Sequence, residues 1–180
     1  MSYDIAIKYT FFSYSSWSFY FAATEKGLCF VGSLNGDLNE LITWADKKIN
    51  RHTLQYDPDG LSAYAFEFIE YFNGKRMTFS FPLNLIGTTF QRQVWQQLLL
   101  IPYGQSSTYS QIGTLLGKPG ASRAVGSAVG QNPILIVVPC HRVHKKDGSH
   151  SGFRGGIQMK HALLDIEHSF IRNNGNKNKR

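Results

Sequence analysis

Five consecutive apolar residues, Ile134-Leu-Ile-Val-Val138, lie between Asn132-Pro133 and Pro139 and lead straight into Cys140-His-Arg-Val143. No other stretch restricts the fold so strongly. A short apolar run fenced by turn residues reads as a buried strand. Pro139 has no backbone N–H, so the ladder must end there, and it holds Val138 extended. Cys140 is therefore expected at the mouth of a buried strand, on a rigid turn, with His141 and Arg142 beside it. Cysteine reacts as thiolate, and neighbouring imidazole and guanidinium groups lower the thiol pKa. The plain alternative is a half-buried structural cysteine next to two surface polar residues.

The rest of the chain decides between these. Its 180 residues suffice for one large or two small domains. No apolar run approaches the ~20 residues of a membrane span, and the first thirty residues carry charges and no signal-peptide h-region. Two cysteines, Cys29 and Cys140, cannot make a disulfide framework. A free reactive thiol suits a reducing compartment, so the expected location is cytoplasmic, or nuclear in a eukaryote. Charge is segregated. Residues 1–88 hold seven Lys/Arg and nine Asp/Glu, whereas residues 89–180 hold twelve and three, a net of +9. Such a basic half suits a polyanion, nucleic acid above all; charge for solubility alone would not need to segregate.

In the front half, Trp17–Ala22 and Gly27–Gly32 flank Thr24–Gly27 as a hairpin. Leu38, Leu41, Ile42, Ala45 and Ile49 recur at helical spacing, and so do Leu61, Ala65, Phe68 and Phe72 before Asn73-Gly74. Arg76–Phe81 reads as a strand closed by Pro82. Cys29 alternates with apolar neighbours and belongs in a core. This half carries no cluster of chemistry-bearing residues and reads as scaffold.

After the linker Leu83–Gly87, Thr88-Thr-Phe-Gln91 is a capping box, and Phe90, Val94, Leu98 and Ile101 share one helical face. A second box, Thr108-Tyr-Ser-Gln111, opens a short helix with Ile112, Leu115 and Leu116 inward. Gly117–Gly120 turns into a third helix with Ala121, Ala124, Val125, Ala128 and Val129 on its apolar stripe. Two short helices joined by a glycine turn make a helix-turn-helix, although a plain helical hairpin has the same spacing. The outward face of its second helix bears Arg123, Gly126 and Ser127, small apart from the arginine. That suits close backbone approach better than base reading by long polar side chains. A basic turn at Lys145–Gly148 and a loop at Ser151–Gly156 precede a last helix from Ile157. On it Glu167 falls among Leu163 and Leu164 and should point inward. A buried carboxylate needs a partner, and His141 and Arg142 are the candidates. The tail from Ile171 is polar and basic and is expected to be disordered.

Cys140, His141 and Glu167 thus form a candidate nucleophile, base and orienter. Neighbours on an extended chain point to opposite sides, so a water between thiol and imidazole is expected. A zinc site from Cys140, His141, His144 and His150 is the weaker alternative, because structural zinc sites combine several thiolates or paired spacings.

Tyr109, Arg123, Asn132-Pro133, Pro139-Cys-His-Arg-Val143 and Glu167, in this order and spacing, resemble the O6-alkylguanine-DNA alkyltransferases, also called methylated-DNA–protein-cysteine methyltransferases. The resemblance runs from about Thr89 to Ser169, and the front half is similar in layout to the family's small α/β domain. It implies an α/β fold in two domains. Residues 1–86 would form a small α/β scaffold of sheet and helices. Residues 87–170 would form a mainly helical DNA-binding domain, with a helix-turn-helix and a short strand bearing the active-site cysteine; residues 171–180 would be the tail. It implies DNA repair by direct reversal without a cofactor or metal. An alkyl group moves from O6-alkylguanine, and from O4-alkylthymine, irreversibly to Cys140, once per molecule. The partner is double-stranded DNA entered through the minor groove by a monomer, with the damaged base flipped out. Carried over, His141 activates Cys140 through water, Glu167 orients His141, and Asn132 braces the turn. Tyr109 protonates the leaving guanine. Arg123 fills the vacated stack, and Ala124, Gly126, Ser127 and Arg142 complete the DNA contact. The carbonyls of Cys140 and Val143 hold the exocyclic amine. Where the family often has tyrosine this chain has Phe153, followed by Arg154. The aromatic wall stays, its hydroxyl is lost, and Arg154 would reach a phosphate or offer its amide to the guanine oxygen. The competing classes are a DNA-binding regulator or damage sensor with an incidental cysteine, and a Cys-His-Glu hydrolase.

Overall fold

The computed structural model describes residues 4–149 and 152–175. A four-stranded sheet of order β3-β2-β1-β4 forms the front half: β1 (Ile5–Tyr14), β2 (Trp17–Thr24), β3 (Gly27–Val31) and β4 (His52–Tyr56). β1–β2 and β2–β3 are antiparallel, and β1–β4 is parallel. Period-two alternation gives the sheet two apolar faces. Ile7 and Ala22 meet Leu41 and Ala45 of α1 (Leu38–Lys48) on one side. Phe12, Phe19 and Phe21 meet Phe68 and Tyr71 of α2 (Ser62–Phe72) on the other. The hairpin and both helices lie where the sequence puts them, whereas β1 and β4 were not read from it.

Two expected strands are absent. Arg76–Phe81 is irregular, because α2 holds it by side chains. Glu67 accepts the backbone N–H of Ser80 at 2.8 Å, and Arg76 pairs with Glu67 at 3.1 Å and with Glu70 at 2.7 Å. Phe79 and Phe81 pack on Phe68. Nor is Ile134–Val138 a strand. It coils through successive turns, with Val137 N–H donating to Leu135 O and Val138 N–H to Ile134 O. Only Ile134 keeps a ladder contact, a parallel bridge to Val31 on the β3 edge. Burial predicted from the apolar run is complete here, and the extended conformation is not.

The back half begins with α3 (Thr89–Leu99) and its Thr88–Gln91 capping box. α4 (Tyr109–Leu115), with the Thr108–Gln111 box, and α5 (Ser122–Gly130) follow, joined by a turn in which Gly117 and Gly120 take φ of 68° and 88°. Ile112 is buried and Leu116 packs on the core, but Leu115 is 70% exposed. On so short a helix the i, i+4 pair defines the inner face, and Leu115 lies off it. β5 (Ser107–Thr108) and β6 (Val143–His144) make a two-stranded parallel ladder. α6 runs Ile157–Gly175, so the expected tail is helical through Gly175, and residues 176–180 lie outside the described residues. One apolar cluster joins Phe21, Phe68 and Tyr71 to Trp95, Leu98, Val138 and Leu163, so both halves share a core. Among the described residues no helix is long and apolar enough to cross a membrane.

Candidate active site

Asn132 organises the turn that carries the thiol. Fully buried, it accepts the Ile134 N–H on Oδ1 at 2.9 Å. Its Nδ2 reaches Val138 O at 2.9 Å, Ile134 O at 3.3 Å and Cys140 Sγ at 3.0 Å. These bonds replace the ladder that a strand would have used, which buried backbone groups require. They also hold Ile136 at φ 70°, a conformation that costs a β-branched residue about 1–3 kcal/mol. Pro139 then opens a 3₁₀ turn over Cys140–Arg142, closed by Val143 N–H to Cys140 O.

Sequence placed Glu167 inward beside His141 and Arg142, and there it is. His141 Nε2 donates to Glu167 at 2.8 Å. Arg142 donates to both carboxylate oxygens, through Nε at 3.2 and 3.0 Å and Nη2 at 2.9 Å, and its Nη1 binds Ile101 O at 2.6 Å. Two further donors had no signal in the sequence: the Tyr71 hydroxyl from α2 at 2.7 Å and the Gly104 N–H at 2.9 Å. Burial pushes the Glu167 carboxyl up, but the bonds and charges of His141 and Arg142 outweigh it and hold it at about 2. Burial dominates at His141 and lowers its pKa against the pull of Glu167. The ring is therefore neutral, with its proton on Nε2. Its Nδ1 keeps a lone pair, is buried, and has no hydrogen-bond partner among the described residues.

Burial likewise raises the Cys140 thiol, opposed by the Asn132 N–H and by the charges of Arg154 and Lys160. The resting group is a thiol that needs a base. Lys160 is a residue the sequence reading missed. It is 1% exposed and donates through Nζ to Val143 O at 2.7 Å. Its only signal was a lysine one residue past Met159 on a buried helix face. Cys29 is also buried, donates to Ala22 O at 3.4 Å, and is pushed up by burial to about 12.

Two expected contacts are corrected. Arg142, assigned to DNA, is 7% exposed and spent on Glu167 and Ile101 O. The Arg154 side chain does not reach outward to a phosphate. It binds Asn132 O at 2.9 Å, Pro133 O at 3.1 Å and Val31 O at 2.6 Å, and pairs with Glu40 of α1. Its own carbonyl accepts the Ser33 hydroxyl at 3.2 Å. Phe153 packs against the shared core. Val143 is buried, so its side chain supports the turn while its carbonyl is shared with Lys160.

The remaining expected residues lie together on α4 and α5. Arg123, Ala124 and Ser127 are exposed along one face of α5 and Gly126 is half-buried. A Cβ built on Gly126 would lie 3.8 Å from the Tyr109 ring, so Tyr109 packs on the bare part of that helix. His144, of the zinc alternative, contacts Ser106 Oγ and Lys145 O, and His150 lies outside the described residues. Among the described residues no three His, Cys, Asp or Glu side chains could hold a metal.

Comparison with known proteins covers both halves of the chain. The family described as 6-O-methylguanine DNA methyltransferase, ribonuclease-like domain, matches residues 7–85, and its DNA binding domain matches residues 89–169. The inducible methylated-DNA–protein-cysteine methyltransferase of Bacillus subtilis (strain 168) is 51% identical over 154 residues, 86% of each chain. That of Methanosarcina barkeri is 46% identical over 151 residues, 84% of this chain and 90% of the relative. The crystal structure of Mycobacterium tuberculosis O6-methylguanine methyltransferase superposes with a TM-score of 0.78 at 36% identity, covering 91% of this chain and 93% of that one. A structure of the M. tuberculosis protein in complex with DNA gives 0.77 at 34%, covering 92% and 94%.

Proposed function

Since this chain belongs to the 6-O-methylguanine-DNA methyltransferase family, we propose that Cys140 is the residue that takes the alkyl group, with His141 as its base. The protein is a DNA-repair methyltransferase that transfers an alkyl group from DNA to a cysteine of its own chain. One observation carries the assignment to these residues. Beside a buried thiol, an imidazole is fixed through Nε2 by an ionised carboxylate and presents an unpaired Nδ1. A base held in one tautomer by its orienter is what activates a thiol whose pKa burial has raised.

The steps follow in order. A flipped O6-alkylguanine enters beside Cys140, and His141 Nδ1 takes the thiol proton through a water. The thiolate, stabilised by the Asn132 N–H at 3.0 Å and by the Lys160 charge, attacks the alkyl carbon. The C–S bond forms as the C–O6 bond breaks, the electron pair leaves on guanine, and Tyr109 supplies its proton. The Cys140 carbonyl and the second lone pair of the Val143 carbonyl receive the exocyclic amine. O4-alkylthymine is the secondary substrate. α5 lies in the minor groove, with its small face against the duplex and Arg123 in the vacated stack. Residues 1–86 and 87–170 act as scaffold and DNA-binding domains.

Intact mass after incubation with O6-methylguanine duplex tests this. Each molecule should gain one methyl group, about 14 Da, carried on Cys140 when its thiolate attacks, and peptide mapping should find none on Cys29. Several turnovers per molecule would revive the hydrolase reading. Modification at Cys29 would overturn the site.

A further inference from the structure

The exposed stripe of α5 does not end in open solvent. Arg123, Ser127 and Gln131 follow one another at i, i+4 and i+8. Gln131 is held in line by Ser127 Oγ at 3.3 Å and Gln91 Nε2 at 2.8 Å. At Gly130–Gln131 the stripe opens into a cleft of about 560 Å³ whose far wall is α1, with Thr43, Trp44, Lys47 and Lys48. We infer that this cleft holds the sugar-phosphate backbone of the duplex beyond the lesion, with Lys47 and Lys48 as its phosphate contacts.

The inference rests on α5 being the helix that docks on DNA, and the charges on both walls support it. Lys47 and Lys48 are exposed, and neither makes an ion pair among the described residues. Of the three acids nearby, two have partners among the described residues. Glu40 is paired with Arg154, and Asp46 faces His52 at 3.5 Å. Asp37, at the start of α1, is the one cleft-lining acid without such a partner. Two unneutralised cations therefore face the C-terminal end of a DNA-facing helix, in a half whose net charge is negative. The stripe is about 12 Å long by helix rise. A duplex laid along it presents about seven phosphates counted over both strands, and it must run on past Gln131. Gly130 leaves no side chain in the way. A competing account is that two lysines in the last turn favour the helix dipole of α1. That account predicts an effect on melting and none on DNA.

The two are separated by fluorescence anisotropy of the full chain on an undamaged labelled duplex across a salt series. Each lost phosphate contact lowers the slope of log K against log salt by about 0.9. Lys47→Gln/Lys48→Gln should therefore lower it by about 1.8. Between 50 and 200 mM salt the wild type should then lose about 12-fold more affinity than the variant. Lys47→Arg/Lys48→Arg should keep the wild-type slope, and both double variants should react with free O6-methylguanine base at the wild-type rate. Arg123→Ala on the same duplex checks the premise. An unchanged slope in the glutamine variant, with binding weakened by Arg123→Ala, would overturn the inference and leave α5 as the docking helix. No change in either variant would remove α5 from the DNA and the cleft with it.

Discussion

Replacing Glu167 with glutamine keeps the side chain's size and removes one buried charge, and the consequence can be worked out by two routes. The carboxyl sits at about 2 in the fold against an ordinary 4.5, a gap equivalent to about 3 kcal/mol at neutral pH. Separately, removing one partner of a buried ion pair strands the other, here Arg142, which typically costs about 3–5 kcal/mol. Five donors converge on the carboxylate, from His141, Arg142 twice, Tyr71 and Gly104. Glutamine offers one oxygen to them. A loss of about 3 kcal/mol should lower the melting temperature by roughly 6–12 °C in a chain of this length. The pH sign is fixed, because the folded pKa is depressed. This part of the stability is present above about 4.5 and is lost as pH falls towards 2. In Glu167→Gln it should be missing at pH 7, and its share of the acid slope should vanish. Arg142→Met/Glu167→Gln separates fold from chemistry, since removing both charges should restore most of the stability. Alkyl transfer should stay slow by about 10²–10⁴-fold, because the imidazolium that His141 becomes no longer faces a negative charge. Urea titration measures the first quantity and single-turnover mass spectrometry the second. A glutamine variant destabilised by less than about 1 kcal/mol, or a double variant whose rate recovers with its stability, would refute the reasoning.

Three further outcomes are expected. Burial lowers the His141 pKa below 6.5 and raises Cys140 above 9.0, so the wild-type rate should hold down to pH 6.5 and fall only as His141 protonates below it. In His141→Ala the rate should instead climb with pH through 9, following the unaided thiol; a profile like the wild type's would remove His141 as base. Lys160→Met should raise the Cys140 pKa further and slow transfer, with Lys160→Arg keeping more of the rate, read from thiolate absorbance against pH; equal pKa values in all three would confine Lys160 to packing. Arg123→Ala should slow repair of duplex while sparing reaction with free O6-benzylguanine, because flipping takes a few kcal/mol that a free base does not need. Tyr109→Phe should slow both, and equal losses on the two substrates for Arg123→Ala would remove its role in the stack.

How much of this was legible follows from where the information sits. Helices α1 to α5 announce themselves by spacing and by capping boxes, which are local. Glu167 was readable because a carboxylate on an apolar helical face demands a partner. The conformation of Ile134–Val138 was not. An apolar run specifies burial, but the turn depends on Asn132 satisfying Val138, Ile134 and Cys140 at once, a set of contacts no periodicity encodes. Arg154 was misplaced for a related reason: a guanidinium reads as a DNA contact in a basic half, and only the fold reveals that Glu40 claims it. Arg142 carried two readings, partner of Glu167 and DNA contact, and the fold keeps the first. Tyr71 reaches the site across the shared core with nothing near it in sequence to signal it, and Lys160 had only its place beside Met159 on a buried helix face.

The half without chemistry of its own therefore acts at both ends of the proposed site. Tyr71 fixes the carboxylate behind His141, while Val31 O and Glu40 hold Arg154 against the carbonyls of Asn132 and Pro133. The charges fit a single use. At rest Glu167 and Arg142 cancel, His141 is neutral, and burial keeps Cys140 a thiol. In the proposed step, moving its proton to His141 would create an imidazolium that already faces Glu167 and a thiolate that already meets the Asn132 N–H. No side chain has to reorganise, which is how preorganised groups lower a barrier. Once sulfur carries carbon, it has no proton for His141 to take and no bond that water opens readily. The base is then idle, because the thioether ends the chemistry while the fold still stands.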